Sequence, residues 1–279
     1  MSEEAWIRLS MFVGILMVMA IWELLAPRRV LTQGYRRWPA NLGIVVLNGL
    51  LVRFLPSVSV VGTSLWAAEN GWGLLNLVAL PDMTTIAIAV ILLDLTIYLQ
   101  HVMVHAVPLF WRLHMVHHAD RDIDVTTGLR FHPIEIILSV LIKVAAVVLI
   151  GAPYVAVVIF EVVLNGMAMF NHGNVKLPEK IDAVIRALFV TPDMHRVHHS
   201  VIKRETNSNY GFNLSIWDRI FGTYTAQPEE GHTGMTIGLN QFQAEPTHNL
   251  FWMLRLPFGG EIGQYPIMRA QKREEERNE

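Results

Sequence analysis

The chain contains no cysteine. That absence excludes disulfide frameworks, thiolate zinc sites, iron–sulfur clusters and cysteine nucleophiles. Charge is also scarce. Asp, Glu, Lys and Arg make up 16% of the 279 residues, against roughly 25% in a soluble domain. There is no basic excess, the formal net charge being −2, which argues against a general nucleic-acid binder because those display a basic face. Internal repeats, low-complexity linkers and the HExxH pattern of zinc hydrolases are missing as well. Apolar side chains are plentiful, at 52% of the chain, and so is histidine, with twelve residues.

A membrane-spanning helix needs about 20 mostly apolar residues, and windows near 6–26, 41–66, 84–105, 134–150 and 152–170 qualify. Trp6 and Trp22 flank the first as interfacial anchors. Its acidic start and the lack of a small-residue cleavage site predict a retained span rather than a signal peptide. The second is less pure, with Arg53 and Pro56 inside it, and the last two are joined by Gly151-Ala152-Pro153 as a tight helical hairpin. Segment 71–81 is too short to span and reads as re-entrant or interfacial. The expected fold is all-α: a polytopic integral membrane bundle of about four to five spans with a cytosolic helical cap that holds the histidines. Within one folded domain, 1–83 is the N-terminal membrane region, 84–226 the histidine-bearing region and 227–279 a cytosolic extension with a frayed, charged end.

Lys and Arg in short loops set the orientation. Arg28, Arg29, Arg36 and Arg37 follow the first window, whereas 67–83 carries Glu69 and Asp82 and no basic residue. The segments 106–133 and 171–279 are rich in Lys and Arg. These charges predict an N-terminus outside and every histidine cluster on the cytosolic side; the absence of an evident retrieval signal and the compact length point to a bacterial inner membrane.

His101 and His105 are four apart, and the pattern HxxHH occurs twice, at His114, His117, His118 and at His195, His198, His199. Residues three and four apart share a helix face, so each group is expected to project its rings in one direction. Pro108, and Thr191 followed by Pro192, are helix-start signals ahead of the second and third groups. Two spans carry polar stripes that end in histidine: Asp94, Tyr98, His101, His105 on one, and Glu161, Asn165, His172 on the other. A carboxylate inside an apolar span marks a functional site by default, and Asp94 is expected to fix an imidazole tautomer.

Neutral imidazole suits Zn, Cu, Fe and Ni. Eight clustered histidines, or nine with His172, exceed the four ligands of one structural zinc and match two ions with four or five nitrogen ligands each. Two redox ions can reduce and cleave O2, which a single zinc cannot. A divalent-metal transporter is a weaker reading, because transport sites lie near the bilayer midplane. A membrane zinc hydrolase is weaker too, for want of a glutamate base at ligand spacing and an open position. His232 and His248 have no partner at ligand spacing. His132 either caps the fourth span or reaches the metals.

The three groups, together with D94-LTIY98, RFHPIE (130–135), NHGN (171–174) and NYGFNLSIWDRIFGTY (209–224), resemble the histidine-box signature of the fatty acid hydroxylase/sterol desaturase superfamily, on the side of its sterol oxidases and alkylglycerol monooxygenases. The resemblance implies an integral membrane di-iron oxygenase, with zinc possible as isolated. It would use O2 as co-substrate to hydroxylate or desaturate a C–H bond of a lipid. With no fused cytochrome b5 expected, electrons would come from a separate electron-transfer protein or a reduced pterin. The metal ligands would be His101, His105, His114, His117, His118, His195, His198 and His199, with His172 as ninth and His132 undecided.

Around them Asp94, Asp218, Glu161 and Asn165 are expected to support the ligands. The alternatives are a salt bridge from Asp218 to Arg196 or Arg219, and a polar interhelical contact for Glu161 and Asn165. Trp217, Phe221 and Tyr224 are expected to pack the cap, and Arg196 and Arg204 to face solvent. Arg53 would snorkel or pair with Asp94 or Glu161.

Overall fold

A computed structural model describes residues 3–53, 59–259 and 261–268. Among them all regular structure is helical, with three isolated antiparallel bridges. The charged 271–279 end and Pro56 lie outside the described residues.

Four long helices make the membrane region: α1 (Glu3–Leu25), then, beyond α2 (Trp38–Arg53) and α3 (Val60–Glu69), α4 (Asp82–Ala106), and, past α5 (Pro108–His118), the pair α6 (Pro133–Ile150) and α7 (Tyr154–Asn171). Among the described residues α4, α6 and α7 are long and apolar enough to cross a membrane, and Leu9–Leu25 of α1 is a shorter apolar stretch. At 1.5 Å per residue α6 and α7 each rise about 27 Å and α4 about 37 Å, so α4 has the length to carry its last turn beyond a 30 Å hydrocarbon core. That last turn holds His105, and His101 sits one turn earlier.

Among the described residues the 41–66 window holds parts of two helices rather than one. α2 ends at Arg53, which is exposed, and α3 begins anew with Ser59 Oγ accepting from Gly62 N at 3.0 Å. α3 packs on α6 and α7, and Val60, Ala89, Leu93, Ile97, Val147 and Phe160 belong to the apolar core of this region.

The expected hairpin between α6 and α7 is present. Gly151 ends α6 in the left-handed region at φ 73°, and a Cβ at Gly73 would sit 2.1 Å from its backbone nitrogen. Segment 71–81 therefore folds back onto the hairpin turn and forms a short 3-10 turn at Leu74–Leu77, with Trp72, Leu74, Leu77 and Val78 exposed.

At the opposite end the chain turns sharply at Val107, and Pro108 opens α5 at its first position. The cap follows α7: α8 (Glu179–Arg186), α9 (Pro192–His198), α10 (Lys203–Thr206) and α11 (Ile216–Ile220), then the closing segment to 268. Thr191 caps α9 as its sequence indicates, accepting from Met194 N at 3.3 Å. A second apolar core joins α2 and α5 to the closing segment through Ile44, Trp111, Met115, Leu239, Met253 and Tyr265.

Candidate metal centre

The end of α4, α5, the α7 terminus and α9 converge, and nine histidines meet where they do. They form two groups: His101, His105, His114, His118 and His198, and His117, His172, His195 and His199. All nine are buried, and within each group one nitrogen per ring lies within 4.8 Å of every other. The groups share a wall, since the ring centroids of His118 and His199 are 4.6 Å apart and those of His114 and His117 are 5.2 Å apart.

The HxxHH motifs do not each point one way. In α5, His114 and His118 face the first group and His117 the second; in the third motif, His198 faces the first group while His195 and His199 face the second. Adjacent residues differ by about 100° around a helix, so an HH pair straddles the two groups instead of serving one.

Five of the nine rings are held from behind. His101 Nδ1 lies 2.8 Å from Tyr210 O, His198 Nδ1 2.7 Å from Ser208 O, and His172 Nδ1 2.7 Å from Ala168 O. His105 Nδ1 is 3.2 Å from Asn207 Oδ1, whose own amide donates to Tyr265 O. His114 Nδ1 is 2.6 Å from Glu135 Oε1. Each acceptor holds the proton on Nδ1 and turns the Nε2 lone pair inward. A glycine is required at 128, because a Cβ there would lie 2.2 Å from Ala168 O and 3.0 Å from His172 Nδ1.

The inward nitrogens have the marks of a metal cradle. Nε2 of His101, His114 and His198 and both nitrogens of His199 are buried without a hydrogen-bond partner. Nε2 atoms approach each other at 3.0 Å between His117 and His172, 3.0 Å between His172 and His195, and 3.1 Å between His105 and His118. Two nitrogens bound to one ion at about 2.1 Å lie about 3.0–3.4 Å apart. Burial pulls His172 and His198 down to about 3. It also holds His117, His118, His195 and His199 well below the ordinary imidazole range, assisted by the neighbouring rings. These six rings are therefore neutral donors at physiological pH, the form a metal requires.

Other expected residues sit elsewhere. His132 caps α6: its Nδ1 accepts from Ile134 N and its Nε2 donates to Leu254 O, both at 3.2 Å, and it belongs to neither group. Asp94 touches no imidazole in this arrangement. It is seven residues, about 10 Å of helix, from His101, and accepts from Trp217 Nε1 at 2.8 Å and Leu214 N at 3.2 Å, tying the span to the cap. Asp218 accepts from Tyr210 N at 2.7 Å and Gly211 N at 2.8 Å, holding the loop whose carbonyl orients His101. Burial raises its pKa against these bonds.

Glu161 is 3.7 Å from Lys143, and Asn165 Nδ2 donates to Glu161 O at 2.7 Å. Phe221 stacks on Tyr98 at 5.2 Å, and Tyr224 lies under Arg219 at 4.3 Å. Arg196 is not solvated: it is fully buried and pairs with Asp193, which also takes Arg28 at 3.0 Å and lies 3.5 Å from His232. Arg204 is exposed and paired with Glu229.

Two features were not anticipated from the residues alone. One is Glu135 behind His114. The other is the buried lattice after the second motif, in which Arg37 pairs with Asp120 at 2.5 Å, with Asp124, and with Asp122 at 3.5 Å. Burial alone would lower the Arg37 pKa, but the three carboxylates outweigh it and raise it. Burial takes Arg130, which donates to Val116 O, down to about 10. The alternation D120-R-D122-I-D124 against an arginine in the 27–39 loop was the available clue. This contact puts that loop on the histidine side of the membrane region.

A cavity of about 390 Å³ opens from the histidines into the membrane region, lined by His101, His114, His117 and His195, by apolar Val52, Ile97, Val104, Leu129, Phe131 and Leu164, and by Lys143 and Asn165.

The histidine-bearing part of the chain matches known proteins in sequence. The fatty acid hydroxylase family model matches residues 86–223. Ornithine lipid hydroxylase OlsE of Rhizobium tropici is 29% identical over 157 residues, 56% of this chain and 46% of that protein. Human (Homo sapiens) alkylglycerol monooxygenase is 29% identical over 165 residues, covering 57% and 35%. A Delta(7)-sterol-C5(6)-desaturase of Nicotiana tabacum is 25% identical over 206 residues, covering 69% and 70%. The matched part spans less than half the length of the first two relatives. No solved structure matches.

Proposed function

Through residues 86–223 the chain belongs to the fatty acid hydroxylase family, and from that premise we propose that it is an integral membrane, O2-dependent di-iron oxygenase that hydroxylates or desaturates a C–H bond of a lipid. The observation that carries the reading is a pair of buried all-imidazole groups, of five and four rings, opening on an apolar cavity in the membrane region. His101, His105, His114, His118 and His198 would hold one ion, and His117, His172, His195 and His199 the other. Iron pairs, when bound, supply the binding and reduction of O2.

The chain's own residues do the rest. Glu135 and the carbonyls of Ala168, Ser208 and Tyr210 keep the ring protons on Nδ1. Val52, Ile97, Leu129, Phe131 and Leu164 exclude water and align an apolar chain along the cavity, so that one carbon is presented to the wall made by His101, His114, His117 and His195. Ornithine lipids, alkylglycerols and sterols, named for the relatives, are the substrate classes to test first.

Electrons would arrive from a separate protein or a reduced pterin at the cytosolic cap. The arginines of the 27–39 loop, on the histidine side, favour that side as cytosolic, with the N-terminus outside. Lipidomics of a bacterial host with and without the gene tests the proposal. The expected product is a lipid that has gained one oxygen or lost two hydrogens, in air and not under anoxia; an unchanged lipidome in a host shown to make the metal-loaded protein contradicts it.

A further inference from the structure

Lys143 and Glu161 form a charged pair deep in the membrane region that the proposed chemistry does not use. Lys143 is seven residues from the end of α6, about 10 Å of helix, and its ammonium lies 3.7 Å from Glu161 Oε1 with both side chains largely buried. Such a lysine has not snorkelled to an interface, and ionisable groups turned into a bundle mark a substrate path.

The cavity connects this lysine to the metal site. Lys143 lies eight residues along α6 from Glu135, the partner of His114, and Asn165 lies seven residues along α7 from His172. On two antiparallel helices the same offset of about 10–12 Å results. Lys143, Asn165 and Ser139 line the cavity there, with the four histidines nearer the cap.

We propose that Lys143, with Glu161 as its counter-ion, is a specificity-determining residue that binds an uncharged oxygen group of the substrate, a hydroxyl or an ester or amide carbonyl, about 10–12 Å from the carbon presented to the histidines. This rests on the oxygenase reading for the identity of that carbon, but not for the binding itself. An ammonium has three donors, and one carboxylate leaves capacity for an incoming acceptor. Glu161 already shares the charge of the ammonium, so a carboxylate or phosphate guest would have to compete with a neighbouring carboxylate in a low-dielectric cavity, whereas an uncharged acceptor would not. Asn165 and Ser139 beside it are uncharged hydrogen-bonding groups, suited to the same guest.

Equilibrium binding of 1-dodecanol, dodecanoate and dodecane to the full chain in detergent, each corrected for micelle partition, tests this. One hydrogen bond to a charged donor predicts that dodecanol binds about tenfold more tightly than the other two, and that Lys143→Met removes the preference. Glu161→Gln should shift the preference towards dodecanoate, and it serves as the second variant if Lys143→Met does not fold. Tighter binding of dodecanoate by the unaltered protein, equal binding of all three probes, or a preference that survives Lys143→Met overturns the proposal. The probes bind without turnover, so an alcohol preference in a protein that oxidises no lipid would sink the oxygenase reading and leave this one standing.

Discussion

Glu135 Oε1 lies 2.6 Å from Nδ1 of His114, with both side chains buried, and that contact links the start of α6 to the first histidine group. The carboxylate fixes the ring's tautomer and strengthens Nε2 as a donor. Glu135→Gln preserves shape and removes charge. Metal affinity, followed by titration of the metal-free protein, should fall about 10–100-fold, with the helical circular dichroism unchanged.

Because adjacent rings face different groups, His117→Ala and His118→Ala should weaken different ions. Metal analysis after dialysis should find each variant short of one ion, and only the double variant short of both. His132→Ala is the control. It should keep full metal content and lose on the order of 1 kcal/mol of stability through the α6 cap.

Arg37 sits among Asp120, Asp122 and Asp124 with no exposure. Arg37→Met would strand these carboxylates away from water, a loss of about 3–5 kcal/mol for an unpaired buried charge. Thermal unfolding in detergent should report a sharply lowered midpoint. Arg37→Lys should recover only part of it, since one ammonium cannot reproduce the guanidinium fork.

Acid should destabilise the metal-free protein. His172 and His198 ionise near 3 in the fold against 6.5 in an unfolded chain, so between those values the unfolded state binds more protons and stability rises with pH. Their contribution is complete above about 6.5 and is lost as pH falls towards 3. Denaturant midpoints of the metal-free protein should be level from pH 7 to 8 in this respect and decline below about 6.5.

Much of this was legible in the residues because helical spacing is a local property. The positions of α4, α6 and α7, the start of α5 at Pro108 and the cap of α9 at Thr191 all follow from patterns within a few turns, whereas the meeting of nine histidines from four elements was implied by the family resemblance. What was not legible depends on distant segments. The partition of His117 from His118 is set by where α7 and α9 approach α5. Glu135 becomes the partner of His114 through the intervening loop, and Asp94 turns to Trp217, 123 residues away. The fresh start of α3 after Ser59 was hidden by hydropathy averaged over a window.

The most direct test is the iron content of catalytically competent protein, purified in detergent from iron-replete cells and counted against polypeptide by quantitative elemental analysis. Two irons per chain are predicted. A fully active preparation holding one iron or none would contradict the account.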